Sequence, residues 1–292
     1  MKKGILFLSI LLIVAACGGG GGGDSVSSSI SYDGRTDPAA LTSTNAPAVN
    51  DETEKAGAVA YGIDESIRSA IGDKGILAVA YDAARDDIAI IAGNGDISSR
   101  ASSSVSNTIS GTCGGYASYT GTGDAVTGAM NVDITYYNYC KNNNTVNGSV
   151  SFDGYFNYYT QRIISGTYLF SNVTYTNVYY SESMNGTISF TSNSLTINCD
   201  YVDAIGTKYR SQNFTISNSG GLYSFSGRMY YQDYGYVDIT TTTAFTIDSY
   251  GNIISGEMVL TGLSSAVKVT YLSSSRTIYV DADGNGIYET AL

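Results

Sequence analysis

From Ser104 to the C-terminus, apolar and polar residues alternate with a period of two. Val146, Gly148, Val150 and Phe152 alternate with Asn147, Ser149, Ser151 and Asp153. Leu195, Ile197, Cys199 and Tyr201 alternate with Thr196, Asn198 and Asp200, and the pattern returns over Phe225–Tyr231 and Ile254–Leu260. Successive side chains of a strand point to opposite faces, so this pattern requires strands with one face in a core and the other in water. Polar punctuation at 142–144, 217–221 and 248–252 marks turns between them. Parallel α/β and all-helical architectures are thereby set aside for this part of the chain.

An apolar-x-Gly-x-apolar unit recurs inside the alternation, centred on Gly111, Gly128, Gly148, Gly166, Gly186, Gly227 and Gly256. Its first spacings run from 17 to 20 residues and its last two are 41 and 29. A glycine weakens a strand, so its recurrence on the apolar face needs a reason. The expected reason is a sheet that bends sharply toward that face; an open ligand groove is the alternative. The predicted fold is mainly β: an antiparallel meander of about ten or more strands, forming a strongly curved sheet or barrel and preceded by a short helical segment.

The expected organisation is a signal segment over 1–17, a flexible Gly/Ser-rich tether over 18–49, a helical segment over 50–100 and the antiparallel β domain over 101–292. The stretch 50–72 shows helical spacing of Ala56, Val59, Ala60, Ile63, Ile67, Ala70 and Ile71, with Asn50 as its N-cap and acids in the first turn. Ile76–Ala92 is apolar-rich but broken by Asp82-Ala83-Ala84-Arg85-Asp86-Asp87; it reads as a helix or as two short strands, and the helix is the expectation. Both helices are expected to pack on the sheet.

The first residues name a compartment. Lys2 and Lys3 precede the short apolar run Ile5–Val14, and Ala15-Ala16-Cys17 follows. Val14-Ala15-Ala16-Cys17 resembles the bacterial lipobox. The resemblance covers residues 1–17 only and implies that Cys17 is acylated, becomes the mature N-terminus and anchors the protein in a bilayer. Gly18, rather than Asp, implies sorting to an outer membrane, and the six glycines that follow resemble the start of some surface-exposed lipoproteins.

Loss of Lys2 and Lys3 leaves 13 basic against 26 acidic residues, a net charge of −13. Such a surface has no basic stripe for nucleic acid. The chain has no histidine, which removes Ser-His-Asp and Cys-His catalysis and His-ligated metals. Cys113 and Cys140 are expected to form a disulfide, permitted outside the cytoplasm, and Cys199 to be a buried apolar residue. Asp281, Asp283 and Asn285, with Gly286 next, resemble the first half of an EF-hand calcium loop, but Leu292 stands at its twelfth position. The flanking residues read as strands, so a polar hairpin is expected, with calcium as the alternative and no other cofactor.

These features point to a lipid-anchored cell-envelope protein with a non-enzymatic binding or structural role. Its partners would be the bilayer, through Cys17, and a glycan or protein met by its tyrosines, of which there are 26. The alternatives are a lipocalin-like carrier of an apolar ligand, a membrane-embedded β-barrel and a carboxylate-only glycosidase.

Overall fold

A computed structural model describes residues 30–59, 75–93, 103–141, 143–247, 253–273 and 275–292. The expected signal segment, Cys17 and the glycine run lie outside them. Two helices, α1 (Ala46–Gly57) and α2 (Ile76–Gly93), precede the sheet. Its first seven strands are β1 (Ser103–Ser110), β2 (Tyr116–Gly123), β3 (Ala129–Lys141), β4 (Asn144–Asn157), β5 (Arg162–Thr176), β6 (Ser181–Phe190) and β7 (Ser194–Val202). The others are β8 (Lys208–Ser219), β9 (Leu222–Tyr231), β10 (Gly235–Ile247), β11 (Ile253–Gly262), β12 (Ser265–Leu272), β13 (Ser275–Asp281) and β14 (Thr290–Ala291). They pair antiparallel in chain order from β1 to β14. No pairing joins β1 to β13 or β14 among the described residues, so the meander is an open sheet and not a closed barrel.

The alternation read from the sequence sets the two faces. Val146, Val150, Phe152, Leu195, Ile197, Met229, Met258 and Leu260 are buried, while their polar neighbours form the other face. Both helices cover the apolar face. α2 lies against β4 to β7, and α1 touches β9 and β13. Four strand spacings, about 19 Å on a flat sheet, separate those two contacts of a single helix. The sheet must therefore curl around α1.

The recurring glycines explain the curl. Gly148, Gly186 and Gly227 have φ of +105°, +135° and +126°. A Cβ on Gly186 would stand 2.2 Å from the Asn198 carbonyl oxygen, and one on Gly227 would stand 2.3 Å from that of Asn213. Neighbouring backbone fills these positions, so they bend the sheet and leave no groove. Irregular register in the adjoining pairs, as between Gln212 and Thr215, accompanies asparagines in the left-handed region at 138, 172 and 213. Gly111 and Gly128 belong to hairpin turns instead, so two of the seven units are not strand centres.

Two boundaries differ from the reading of the sequence. α1 begins at Ala46, not Asn50, because Pro47 supplies a preset φ at the helix start. Asn50 is buried within the helix. The part of the expected helix beyond residue 59 lies outside the described residues, whereas α2 matches the expected second helix closely. Nor is the tether free as far as residue 49. Residues 30–41 form a strap along one rim: the amides of Ile30 and Tyr32 donate to Asn172 and Asp200, and Ala39 exchanges backbone hydrogen bonds with Tyr236 and Leu263. Tyr32, Ala39 and Leu41 are buried, and that apolar burial holds the strap down.

Candidate functional site

The tyrosines divide by face, and the division locates the polar chemistry of the interior. Four tyrosines on the curled face reach the helices through their hydroxyls. Tyr201 donates to Glu52 at 3.1 Å, Tyr231 to the Val49 carbonyl at 3.0 Å, Tyr136 to Asp87 at 3.0 Å, and Tyr271 bonds Glu54. A tyrosine suits this place because its ring fills the core while its tip satisfies a polar group on the helix. On the outer face, Arg228 stacks over Tyr236 at 3.7 Å and Arg210 over Tyr32 at 5.3 Å. Arg228 and Arg210 also form bidentate pairs with Asp238 and Asp200 across neighbouring strands.

A recess lies where α2 meets β3, β4 and β5. Val79, Asp82, Ala83 and Asp86 share a helical stripe, with Asp87 beside it. Tyr139 and Lys141 of β3, Asn144 and Val146 of β4, and Tyr175 of β5 make the facing wall of a pocket of about 230 Å³. Asp87 is the innermost acid, its side chain 3% exposed, and accepts from Lys141 Nζ at 3.1 Å as well as from Tyr136. Burial pushes the Asp87 carboxyl above the ordinary carboxylate range, although Lys141 and Tyr136 pull it back. Glu52 is raised for the same reason. In the sequence, the run 82–87 reads only as an interruption of an apolar segment. The i, i+4 spacing of Asp82 and Asp86 is the signal of a shared face, but the strands opposite it were not legible.

The raised Asp87 has a consequence for stability. The folded protein takes up this proton at a higher pH than the unfolded chain. The resulting stabilisation is complete below the unfolded value and is lost as pH rises through the folded one. Lowering the pH from neutral toward the ordinary carboxylate range should therefore raise Tm through Asp87 and Glu52, and Asp87→Asn should flatten that slope. A variant with the parent's full pH dependence would contradict this assignment.

Cys113 and Cys140 are bonded, 27 residues apart, as the sequence reading expects. Cys113 sits in the β1–β2 turn rather than on a strand, and the bond ties that turn to the end of β3. Reduction should cost about 3.5 kcal/mol for a loop of this length. A melting curve with and without dithiothreitol checks this, and an unchanged midpoint would argue against the cross-link. Cys199 is buried, which pushes its thiol far above its usual value and makes it inert.

Asp281, Asp283 and Asn285 close the β13–β14 hairpin. The Asp281 carboxylate is buried and accepts from the amides of Gly284, Asn285 and Gly286. Asn285 turns into the loop, its Oδ1 accepting from the Ile287 amide and its Nδ2 donating to Asp283. The acid that joins Asp281 and Asp283 is Glu289, with carboxylate oxygens of all three within 4.8 Å of one another. Such oxygens suit a hard divalent cation such as calcium. The sequence motif flagged two of these three residues, because Glu289 is brought back only by the hairpin.

No protein-family model matches this chain, and no curated protein or solved structure is significantly similar to it.

Proposed function

We propose that this chain is a lipid-anchored cell-envelope protein, held by acylated Cys17, that binds its ligand from outside and carries out no chemistry on it. The observation that carries the reading is the filled interior. α1, α2 and the buried rings of Tyr81, Phe152, Tyr168, Phe170, Phe214 and Phe245 occupy the apolar face of the curled sheet. That favours external binding over a lipocalin-like carrier. The outward face is polar, with Asn131, Asp133, Asn147 and Asp153 along β3 and β4. Hydrocarbon does not tolerate such a surface, so a membrane-embedded barrel is disfavoured.

The pocket beside α2 is the natural place for one small polar unit, such as a sugar residue of a glycan. It combines tyrosines with Asp, Asn and Lys side chains that can orient hydroxyls. A glycosidase would need two carboxylates flanking the scissile bond. Asp82, Asp86 and Asp87 all stand on the helix wall, and Asp87 is engaged by Lys141 and Tyr136. That arrangement supports holding over cleaving.

The test uses the full chain expressed in a bacterial host. Mass analysis of the mature N-terminal peptide should show an acylated Cys17, and Cys17→Ala should leave the membrane fraction. The purified protein should then retain members of a glycan panel, with binding lost in the Asp86→Ala/Asn144→Ala double variant while its circular dichroism spectrum stays that of the parent. An unmodified Cys17 overturns the anchor, and glycan binding unaffected by the double variant overturns the pocket.

A further inference from the structure

Turns alternate between the two rims of a meander. The turns joining β5 to β6 and β7 to β8 therefore share a rim, and the strap runs along it. Their tips are apolar and exposed: Val178 at 86%, Tyr179 at 89% and Ile205 at 88%, with Tyr180 and Ala204 beside them. Both are held in shape from within. Asn177 Oδ1 accepts from the amides of Tyr179 and Tyr180 at 2.8 and 3.0 Å. Asp203 accepts from the amides of Ile205 and Thr207 at 3.0 and 2.8 Å, and from the Tyr209 hydroxyl at 3.2 Å. The one acid in these two turns is thus directed into its own turn. Asp33 pairs with Lys208 beside the second turn, and further along the rim Asp233 and Asp283 are exposed together with Tyr234, Leu263 and Ile287.

Ile30, the first described residue, is held on the strands that lead to this patch. The Ile30 amide donates to Asn172 Oδ1 at 2.9 Å, and Asn185 Nδ2 donates to the Ile30 carbonyl at 3.2 Å. Asn172 and Asn185 each lie four residues from the β5–β6 turn, about 13 Å along the strands. Thirteen residue steps separate Ile30 from Cys17, a span of at most about 45 Å when fully extended. A lipid anchor on that leash keeps this rim at high local concentration near the bilayer.

We infer that Val178, Tyr179, Tyr180 and Ile205 insert into the interface of the bilayer that holds the acylated Cys17, and so fix the orientation of the domain. Tyrosine favours the headgroup region and aliphatic side chains the acyl boundary just beneath it. The net negative charge of the chain makes a zwitterionic surface the better partner. The inference rests on the anchor reading, and its test separates the two.

The protein has no tryptophan, so an introduced one reports alone. Tyr179→Trp and Ile205→Trp report on this rim. Tyr159→Trp, at a position 96% exposed on the opposite rim, is the control. The full chain is reconstituted in phosphatidylcholine vesicles with and without brominated acyl chains, and acylation is read by mass and flotation on the same samples. The expected result is emission quenched about twofold or more at 179 and 205 and unchanged at 159. Flotation without quenching at 179 and 205 overturns the docking and leaves the anchor standing, as does equal quenching at 159. Blue-shifted emission at 179 and 205 that brominated lipid leaves intact would mean a protein covers the patch, and also overturns it. If Cys17 is not acylated, the anchor reading fails by itself. The unacylated chain on the same vesicles then decides: quenching confined to 179 and 205 supports the patch, and its absence overturns it.

Discussion

Gly186→Val should destabilise the protein by about 4 kcal/mol or more, a fall in Tm of about 10 °C or more, or prevent folding altogether. Gly186 has φ +135° and pairs with Cys199 across β6 and β7. A Cβ there would stand 2.2 Å from the Asn198 carbonyl oxygen and 2.6 Å from the Cys199 Cα. Both obstacles are backbone atoms of the next strand, so no side-chain rotation relieves them. Relief would require the strands to separate, breaking a ladder in the middle of the sheet. The control is Gly286→Ala, where φ is +85° but nothing lies within 4 Å. That change carries only the left-handed conformational cost, about 1–2 kcal/mol. Thermal melts of the two variants separate close approach from backbone conformation. Equal losses would mean that the approach of the strands contributes nothing at Gly186.

The second large effect is expected at Tyr168, where α2 is held to the sheet. Its ring is fully buried and meets Tyr81 of α2 edge-on, with centroids 5.3 Å apart. Phe152 and Phe190 lie at 4.9 and 5.6 Å. Removing the ring opens a cavity at the junction of β4, β5, β6 and the helix, so Tyr168→Ala should cost about 3–5 kcal/mol. The hydroxyl is different. It is buried and has no hydrogen-bond partner among the described residues. A buried polar group without a partner costs the folded state its desolvation, so Tyr168→Phe should be neutral or stabilising by about 1 kcal/mol. Denaturant titrations at pH 7 test both. A Phe variant as unstable as the Ala variant would show that the hydroxyl has a partner.

How far each feature was legible depends on the range of the interaction behind it. The inward and outward sets along β4, β7, β9 and β11 follow from a period of two, because the pleat assigns faces with no help from distant residues. α2 was less readable, since the acids at 82–87 interrupt its apolar run and left two short strands as the alternative. The Cys113–Cys140 pair was reachable because few cysteines exist to choose among. The start of α1 was misplaced by four residues, since a local Pro47 outweighed the acids after Asn50.

The pocket was not legible. Asp82 and Asp86 come from one helix, and Lys141, Asn144 and Tyr175 from strands more than 50 residues further along. Two of the metal-capable trio were visible, and the third was not, because Glu289 reaches Asp281 only after the hairpin closes. The tyrosines were read as a contact surface, yet Tyr136, Tyr201, Tyr231 and Tyr271 join the sheet to its helices. Local periodicity alone determined that this chain forms an antiparallel sheet with one apolar face. The recurring glycines already pointed to a sheet that bends toward that face, and only tertiary structure decided that it stays open and draws residues 30–41 onto its rim. Those outcomes depend on contacts between residues far apart in sequence, which no local pattern encodes.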